Sequence, residues 1–515
     1  MTTRRGAHRS RAFFVGLLAA ALALPMIAPT AGAAWDPAAV SLDQRQPSQR
    51  QTLLRYARDT WTSLVAMTDP TSGLPADSLN ADGTVSVQTS TTNIGAYMWS
   101  TLVADRLAII SHTNAVKRLK RTLHSLETME RHEPSGQYYN WYDHSTGAKL
   151  TAWPPTGEPL TPILSSVDNG WLAAGLQVVA NSVPEVAHRA EAIFDSMHFG
   201  FYYRPDVNRI AFNVAPDTGD SPCCYDTIVS ESRIASYIGI ASGEIPAKEY
   251  FGAWRTFPDT CDWSWQETKP VGFSRTYLGV SVFEGAYQYD GMRIVPGWGG
   301  SMFEALMPTL FVPEDEWGTR SWAINHPLTV AAQIHHGLVE AGYGYWGVSP
   351  SNTPEGGYAA YGVDGIGLNP DGYPSNENNT FVDHGFAGCL GRDPKPDPLP
   401  VAYTNGVVTP HASFLALRWA PEASLRNLAK LEHDFRIYGK WGFRDSVNVQ
   451  TGAVSNSYLS LDQGIAMAAI GNALGHDMLR HAFVTPEVRA ALTPIISMEQ
   501  FNASPHDRAG RLDQP

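Results

Sequence analysis

The chain has 515 residues, of which 17% are charged and 11% aromatic, with 37 basic side chains against 50 acidic ones. That length and mixture exclude a fibrous or broadly disordered chain and are ample for a large packed core. The acidic balance excludes phosphate backbones and anionic lipid as natural partners, whereas many rings with little charge suit a neutral carbohydrate.

From the N-terminus, Arg4, Arg5, Arg9 and Arg11 precede the apolar run 12–24, and Ala31-Gly32-Ala33 offers the small residues a signal peptidase requires. Residues 1–33 are therefore expected to be a secretory signal peptide. The apolar run is too short for a bilayer, and no later stretch approaches the ~20 apolar residues of a membrane helix. The mature protein is expected to be exported, with no membrane contact after cleavage. Removing residues 1–33 leaves 33 basic against 50 acidic side chains, a net charge of −17.

Helical periodicity follows over 51–66, 93–110, 114–131, 168–179, 183–197, 230–241, 301–311, 327–341, 411–419, 421–433, 461–475 and 477–492. Several of these pair through short turns with no linker between them. This predicts an all-α fold, a single toroid of helical hairpins over residues 34–500, with a flexible tail at 501–515. Three aromatic, Gly-rich stretches, 199–228, 257–300 and 349–408, carry turn signals and short β-like runs. They are read as the walls of a cleft at one end of the ring.

Cys223, Cys224, Cys261 and Cys389 can form disulfides in an exported chain. Bonding between adjacent cysteines strains the backbone, so at least one of Cys223 and Cys224 is expected to reach Cys261 or Cys389. No C-x-x-C or H-x-x-x-H frame is present, and neither a metal nor another cofactor is expected.

The candidate chemistry is carboxylate chemistry. Asp168, in "SSVDNGWLAAGL", begins a helix, where it is either an ordinary cap or a carboxylate held ionised by the helix dipole, suited to act as a base. Glu231, in "YDTIVSESRIASYIGIAS", begins another helix. Tyr225, Asp226, Ser230 and Arg233 crowd it, and a second acid in a semi-apolar site raises a carboxyl pKa enough to protonate a leaving group. Its alternative is an exposed first-turn Glu. Glu304 stands in "VPGWGGSMFEALMP", where Ser301-x-x-Glu304 is also a capping box. Further candidates for substrate contact are Asp143, Trp171, Trp298, Trp346, Glu355, His411 and Asp462, with Trp265 and Tyr345 as additional rings; packing is the alternative for each. No G-x-S-x-G elbow, H-E-x-x-H frame, nucleotide loop or phosphate loop occurs. Carboxylates in an aromatic cleft are what glycoside cleavage requires.

The blocks "TNIGAYMWS", "NWYDHSTG", "SSVDNGWLAAGL", "YDTIVSESRIASYIGIASGEIP", "GWGGSMFEALMPTLF", "YGYWGVSPSN", "VVTPHASFLAL" and "LSLDQGIAMAAIGN" occur in this order. Together they resemble the glucoamylase-like domain of bacterial cyclic β-1,2-glucan synthases and the endo-β-1,2-glucanases of glycoside hydrolase family 144. The resemblance implies an (α/α)6 toroid and hydrolysis, or transfer, at a glycosidic bond. Carried over residue by residue, it places the family's acid-plus-helix Glu at Glu231 and its helix-start Asp at Asp168. In the serine-proline loop, Asn352 stands where many relatives have an Asp, with Glu355 nearby. The expectation is a secreted, cofactor-independent glycoside hydrolase with Glu231 as proton donor and Asp168 as base or base-positioning group, inverting at the anomeric carbon. The alternatives are action on another bacterial glycan such as an arabinan, and a glycan-binding protein without catalysis.

Overall fold

The computed structural model describes residues 47–221, 223–257, 269–368 and 405–505, all within one compact unit, Leu42–Pro515. Fourteen α-helices lie among them. The first seven are α1 (Pro47–Met67), α2 (Thr91–Arg106), α3 (His112–Thr128), α4 (Ser166–Ala180), α5 (Ala187–Phe194), α6 (Arg233–Ala241) and α7 (Met302–Leu306). The rest are α8 (Glu314–Trp317), α9 (Trp322–His335), α10 (Pro410–Leu415), α11 (Pro421–Asp434), α12 (Ser460–Leu474), α13 (Met478–Phe483) and α14 (Pro486–Met498).

Two kinds of helix build two layers. α2 is buried on every face from Thr91 to Ala104, and α4 and α12 are nearly as enclosed, as helices surrounded by other helices must be. α3 buries only Ala115, Leu119, Thr122, Leu123 and Leu126, a stripe at helical spacing that marks an outer helix. The inner helices form a closed series: α2 packs on α4, α4 on α6, α7 on α10, α10 on α12, and α12 back on α2. Hydrogen bonds from Arg233 of α6 to the carbonyls of Glu304 and Ala305 in α7 complete the ring. The result is the toroid of helical hairpins.

Glycine sets the closest approach inside this ring. A Cβ on Gly175 would lie 2.8 Å from the Cα of Gly95, and one on Gly95 would lie 2.5 Å from the carbonyl oxygen of Trp171. Larger residues at either position would force α2 and α4 apart.

Several boundaries differ from the periodicity. α9 begins at Trp322 and carries Pro327 inside it, so the proline does not start the helix. The run 477–492 is two helices, because Thr485 caps a new start and Pro486 occupies its first turn. Glu231 precedes α6, which begins at Arg233. Asn502, read as part of a loose tail, donates to the carbonyl of Val271, and Ser504 bridges Arg293. Cys223 and Cys224 are bonded to each other across a cis peptide, with Cα atoms 3.2 Å apart, in place of the expected link to Cys261 or Cys389. Both of those residues, like Trp265, lie outside the described residues.

Behind the ring, Arg233 ties α6, α7, α8 and α9 together. Its guanidinium donates to Glu314 Oε1 at 2.6 Å and Oε2 at 3.0 Å, and to the carbonyl of Ser230 at 2.7 Å. Tyr237 donates to Glu314 at 2.6 Å, and His326 Nε2 lies 3.0 Å from it. Arg233 is 3% exposed and Glu314 fully buried. Burial alone would raise Glu314, but Arg233 and His326 hold it down at about 2. Arg233→Met leaves that carboxylate buried without its cation, and is expected to destabilise the fold by about 3–5 kcal/mol in denaturant titration. A loss below about 1 kcal/mol, the range of an exposed pair, would mean that Arg233 is not the latch described.

Candidate active site

Five of the six inner helices bring a polar side chain to the same end of the toroid in their first turn, and the sixth does so just before it. α2 contributes Thr92, α4 Asp168, α7 Glu304, α10 His411 and α12 Asp462, while Glu231 lies immediately before α6. Ser90, Ser165 and Ser301 cap α2, α4 and α7 by accepting from the N–H of Asn93, Asp168 and Glu304. Side-chain capping explains why these helices begin where they do. It also turns their positive ends toward one mouth, where carboxylates are favoured.

Glu231 and Glu304 form the tightest acid pair. Glu304 Oε2 accepts from the backbone N–H of Glu231 at 2.8 Å and from Ser230 Oγ at 2.9 Å. Trp171 Nε1 donates to Glu231 Oε2 at 2.5 Å. Burial, and then the charge of Glu304, push Glu231 well above the ordinary carboxylate range, against the Trp171 bond. Burial also raises Glu304 to about 7, although its donors pull it down. The capping-box serine of Glu304 is therefore real, and the same acid is also the second carboxyl that Glu231 was expected to share its site with. That role falls to Glu304 rather than to Asp226, whose charge acts on Arg209.

Asp168 faces the same hollow from α4. It accepts from Thr92 Oγ1 at 2.5 Å, and from the Asn140 amide at 2.8 Å in the orientation that also satisfies Trp141. Burial raises its pKa, and donors from Ser165 and Thr92 oppose the rise. Its charge contributes to the elevation of Glu231. Tyr225 joins the two: burial first, then Glu231, Glu304 and Asp168, raise its hydroxyl, and it lines with Asp168, Asn140 and Phe212 a cavity of about 320 Å³.

The acids continue around the mouth. Asp77, held by Asn93 at 2.8 Å, is raised by burial and by Asp168; Asp462, raised by burial to about 7, also feels Asp77 and bonds Asp445. Burial, then Asp462, drive Asp445 well up, and burial drives His411 down to about 4. Six carboxyls, Glu304, Glu231, Asp168, Asp77, Asp462 and Asp445, thus form an unbroken electrostatic series. Tyr358, on the hairpin Ser351–Asn352/Tyr358–Ala359, reaches across it. Loss of solvent around its hydroxyl, then Asp462, Glu231, Asp445 and Glu304, raise that phenol, yet the residue is 60% exposed.

The other expected contacts are placed differently from one another. Trp171 is fully buried and serves Glu231 from below instead of forming a wall. Trp346 is 2% exposed, with its backbone bound by Asn427, because its ring packs into the core. Tyr345 is likewise buried and donates to Asp434. Asp143 closes its own turn by accepting from Ser145 and Thr146. Glu355 is exposed at the tip of the Tyr358 hairpin, and Trp298 is half-buried in a parallel pair with Leu368. His411 and Asp462 sit below the surface with Asp445. Sequence reading missed Asp445, Asp77, Thr92, Asn140 and Tyr358. Only Asn352 hinted at Asp445: its N–H donates to Asp445 Oδ2 at 2.5 Å, so the acid beside the serine-proline loop comes from another loop.

A family model described as "Putative glucoamylase" matches residues 225–485, just over half of the chain. The chain belongs to this glucoamylase-like family. A second model, for a protein of unknown function (DUF3131), matches residues 55–202. The cyclic β-(1,2)-glucan synthase NdvB of Rhizobium meliloti is 27% identical over 319 residues, which are 59% of this chain and only 9% of that protein. The endo-β-1,2-glucanase of Chitinophaga pinensis, solved with sophorotriose and glucose, superposes with a TM-score of 0.61 at 19% identity over 87% of this chain and 98% of that one. A β-1,2-glucanase from Parabacteroides distasonis gives 0.63 at 15% identity, covering 87% and 60%. These structures share the toroid.

Because the folded pKa of Glu304, about 7, exceeds its ordinary 4.5, the folded state holds this proton more tightly than the unfolded chain does. Its contribution is fully present below pH 4.5 and is lost as pH rises through 7. Glu304→Gln, which cannot ionise, is expected to match the parent in acid and to exceed it above pH 7 by at most about 3 kcal/mol. Thermal melts from pH 4 to 9 measure the difference, and a gap independent of pH would remove the buried ionisation as its cause.

Proposed function

We propose that this protein is a glycoside hydrolase that cleaves β-1,2-linked glucan with Glu231 as proton donor and Asp168 as base. The observation that carries the reading is the pairing of Glu231 with Glu304 at the mouth of the ring, with Asp168 facing the same hollow. An acid must keep its proton at working pH, and Glu231 does so because it is enclosed beside a second carboxyl. A base must be ionised to act, and although burial raises the pKa of Asp168, its side-chain donors oppose the rise and stabilise the charge. The activities of the glucanases that share the fold, and of the synthase that resembles part of the chain, support β-1,2-glucan as the substrate.

In this mechanism Glu231 donates its proton to the glycosidic oxygen as the C1–O bond breaks. Asp168 takes a proton from the water that attacks C1 from the opposite face, so a β-linkage yields an α-anomer. The surrounding carboxyls accept from sugar hydroxyls, which all carry donors. The basic, apolar and small-residue segments of the first 33 residues support export of the protein before it acts.

Two measurements test this. Glu231→Gln is expected to retain oligosaccharide binding while kcat falls by about 10²–10⁴, the usual contribution of a general acid. NMR of the first products from β-1,2-glucan should show the α-anomer before mutarotation. Wild-type activity in the variant, or a purified protein that binds but never cleaves this glucan, would overturn the assignment. Export predicts a mature N-terminus at Ala34 by intact mass of the protein recovered outside the cell, and retention of residues 1–33 there would contradict it.

A further inference from the structure

Across the mouth from Asp168, three side chains from separate elements converge on one small space. His411 comes from the first turn of α10, Asp462 from the first turn of α12, and Asp445 from the loop before the strand Val447–Asn448. One donor atom from each lies within 4.8 Å of the other two. All three are more than nine-tenths buried, with exposures of 3%, 6% and 2%.

Their protein partners do not satisfy them. Asp445 Oδ2 accepts from the N–H of Asn352, and His411 Nδ1 lies 2.7 Å from Thr409 Oγ1. Asp445 Oδ1 and His411 Nε2 have no hydrogen bond, while Asp462 bonds Asp445 and its Oδ2 lies 2.9 Å from His411 Nδ1. Buried polar atoms left without a partner are costly, and two of them on one enclosed His–Asp–Asp cluster call for a common occupant. A cavity of about 10 Å³ adjoins them, lined also by Thr60, Phe414 and Gln463. That is room for a single water-sized or ion-sized body and no more. No Lys or Arg forms an ion pair with either aspartate among the described residues.

We propose that His411, Asp445 and Asp462 bind one divalent transition-metal cation, with Zn²⁺ and Mn²⁺ as the ions that best suit one imidazole and two carboxylates. The two aspartates balance its charge and the imidazole supplies a neutral donor. The ion joins α10, α12 and the Asp445 loop. Through the bond from Asn352 to Asp445, it also anchors the hairpin that holds Tyr358 over the mouth. It is a positioning ion, and its presence does not depend on which glycan is cleaved.

The experiment is metal analysis of the mature protein by plasma mass spectrometry. Protein is stripped with a chelator, desalted, incubated with ZnCl₂ or MnCl₂ and passed through gel filtration. About one retained ion per chain is expected, with a raised Tm that the chelator reverses. Asp445→Asn and Asp462→Asn should each abolish retention, whereas Glu231→Gln should keep the ion even when it has lost activity. Wild-type protein that retains neither ion and whose Tm responds to neither salt overturns the proposal, whatever the fold of the variants. Undiminished retention in both aspartate variants also overturns it.

Discussion

The structure depends on one directional constraint: the inner helices of the toroid all begin at the same end. Each start exposes N–H groups that need acceptors, and their partial positive charge favours anions. Serines at positions 90, 165 and 301 answer the first need for α2, α4 and α7. Carboxyls from Asp168, Glu304 and Asp462, with Glu231 just ahead of α6, answer the second. A ring of acids at the mouth is thus the electrostatic complement of the ring of helices beneath it. The hairpin connectivity that closes the toroid also determines where the chemistry can be.

Within that ring the acids differ by what donates to them. Asp168 receives Thr92 and Asn140; Glu304 receives Ser230 and the Glu231 backbone; Glu231 receives only the indole of Trp171 among the bonds described. Donors stabilise the ionised form, and burial and like charge oppose it. Glu231 therefore has the least support and the strongest reason to stay protonated. Ser301 caps α7, and the Glu304 carboxylate, which holds Ser230 and the Glu231 N–H, also supplies the like charge, so Glu304 is both a structural acid and a tuning one. The two readings of the Ser301-x-x-Glu304 block were never exclusive.

The architecture was legible because helical periodicity is local and a closed ring of hairpins requires little else. The first-turn positions of Asp168 and Glu304 were legible too, since the capping serines 165 and 301 stand beside them in the chain; those of His411 and Asp462 followed from periodicity alone, because α10 and α12 begin without a side-chain cap. Residues brought in from loops were not. Asp77 and Asp445 occupy no motif, and their importance arises only when Asn93 and Asn352 lie against them. Trp171 and Trp346 were misjudged for a related reason. An indole can face inward to fill the core, from an inner helix as Trp171 does or from a loop as Trp346 does, and composition cannot distinguish that from a ring facing a sugar.

The placement of Arg233 shows how a stable scaffold and an unneutralised acid coexist only two residues apart. Its guanidinium turns back from the mouth to Glu314 and to carbonyls of α7, and its pull on Glu231 is weaker than burial, the charge of Glu304, the Trp171 bond and the charge of Asp168. Had the same cation faced forward, it would have paired with Glu231 and lowered its pKa, and the proton needed by a leaving group would be gone at neutral pH. Glu314, fully buried and held at about 2, captures Arg233 from behind and keeps it there. The buried ion pair is thus more than a clamp between helices: by fixing where the positive charge resides, it preserves the acidity of the residue in front of it.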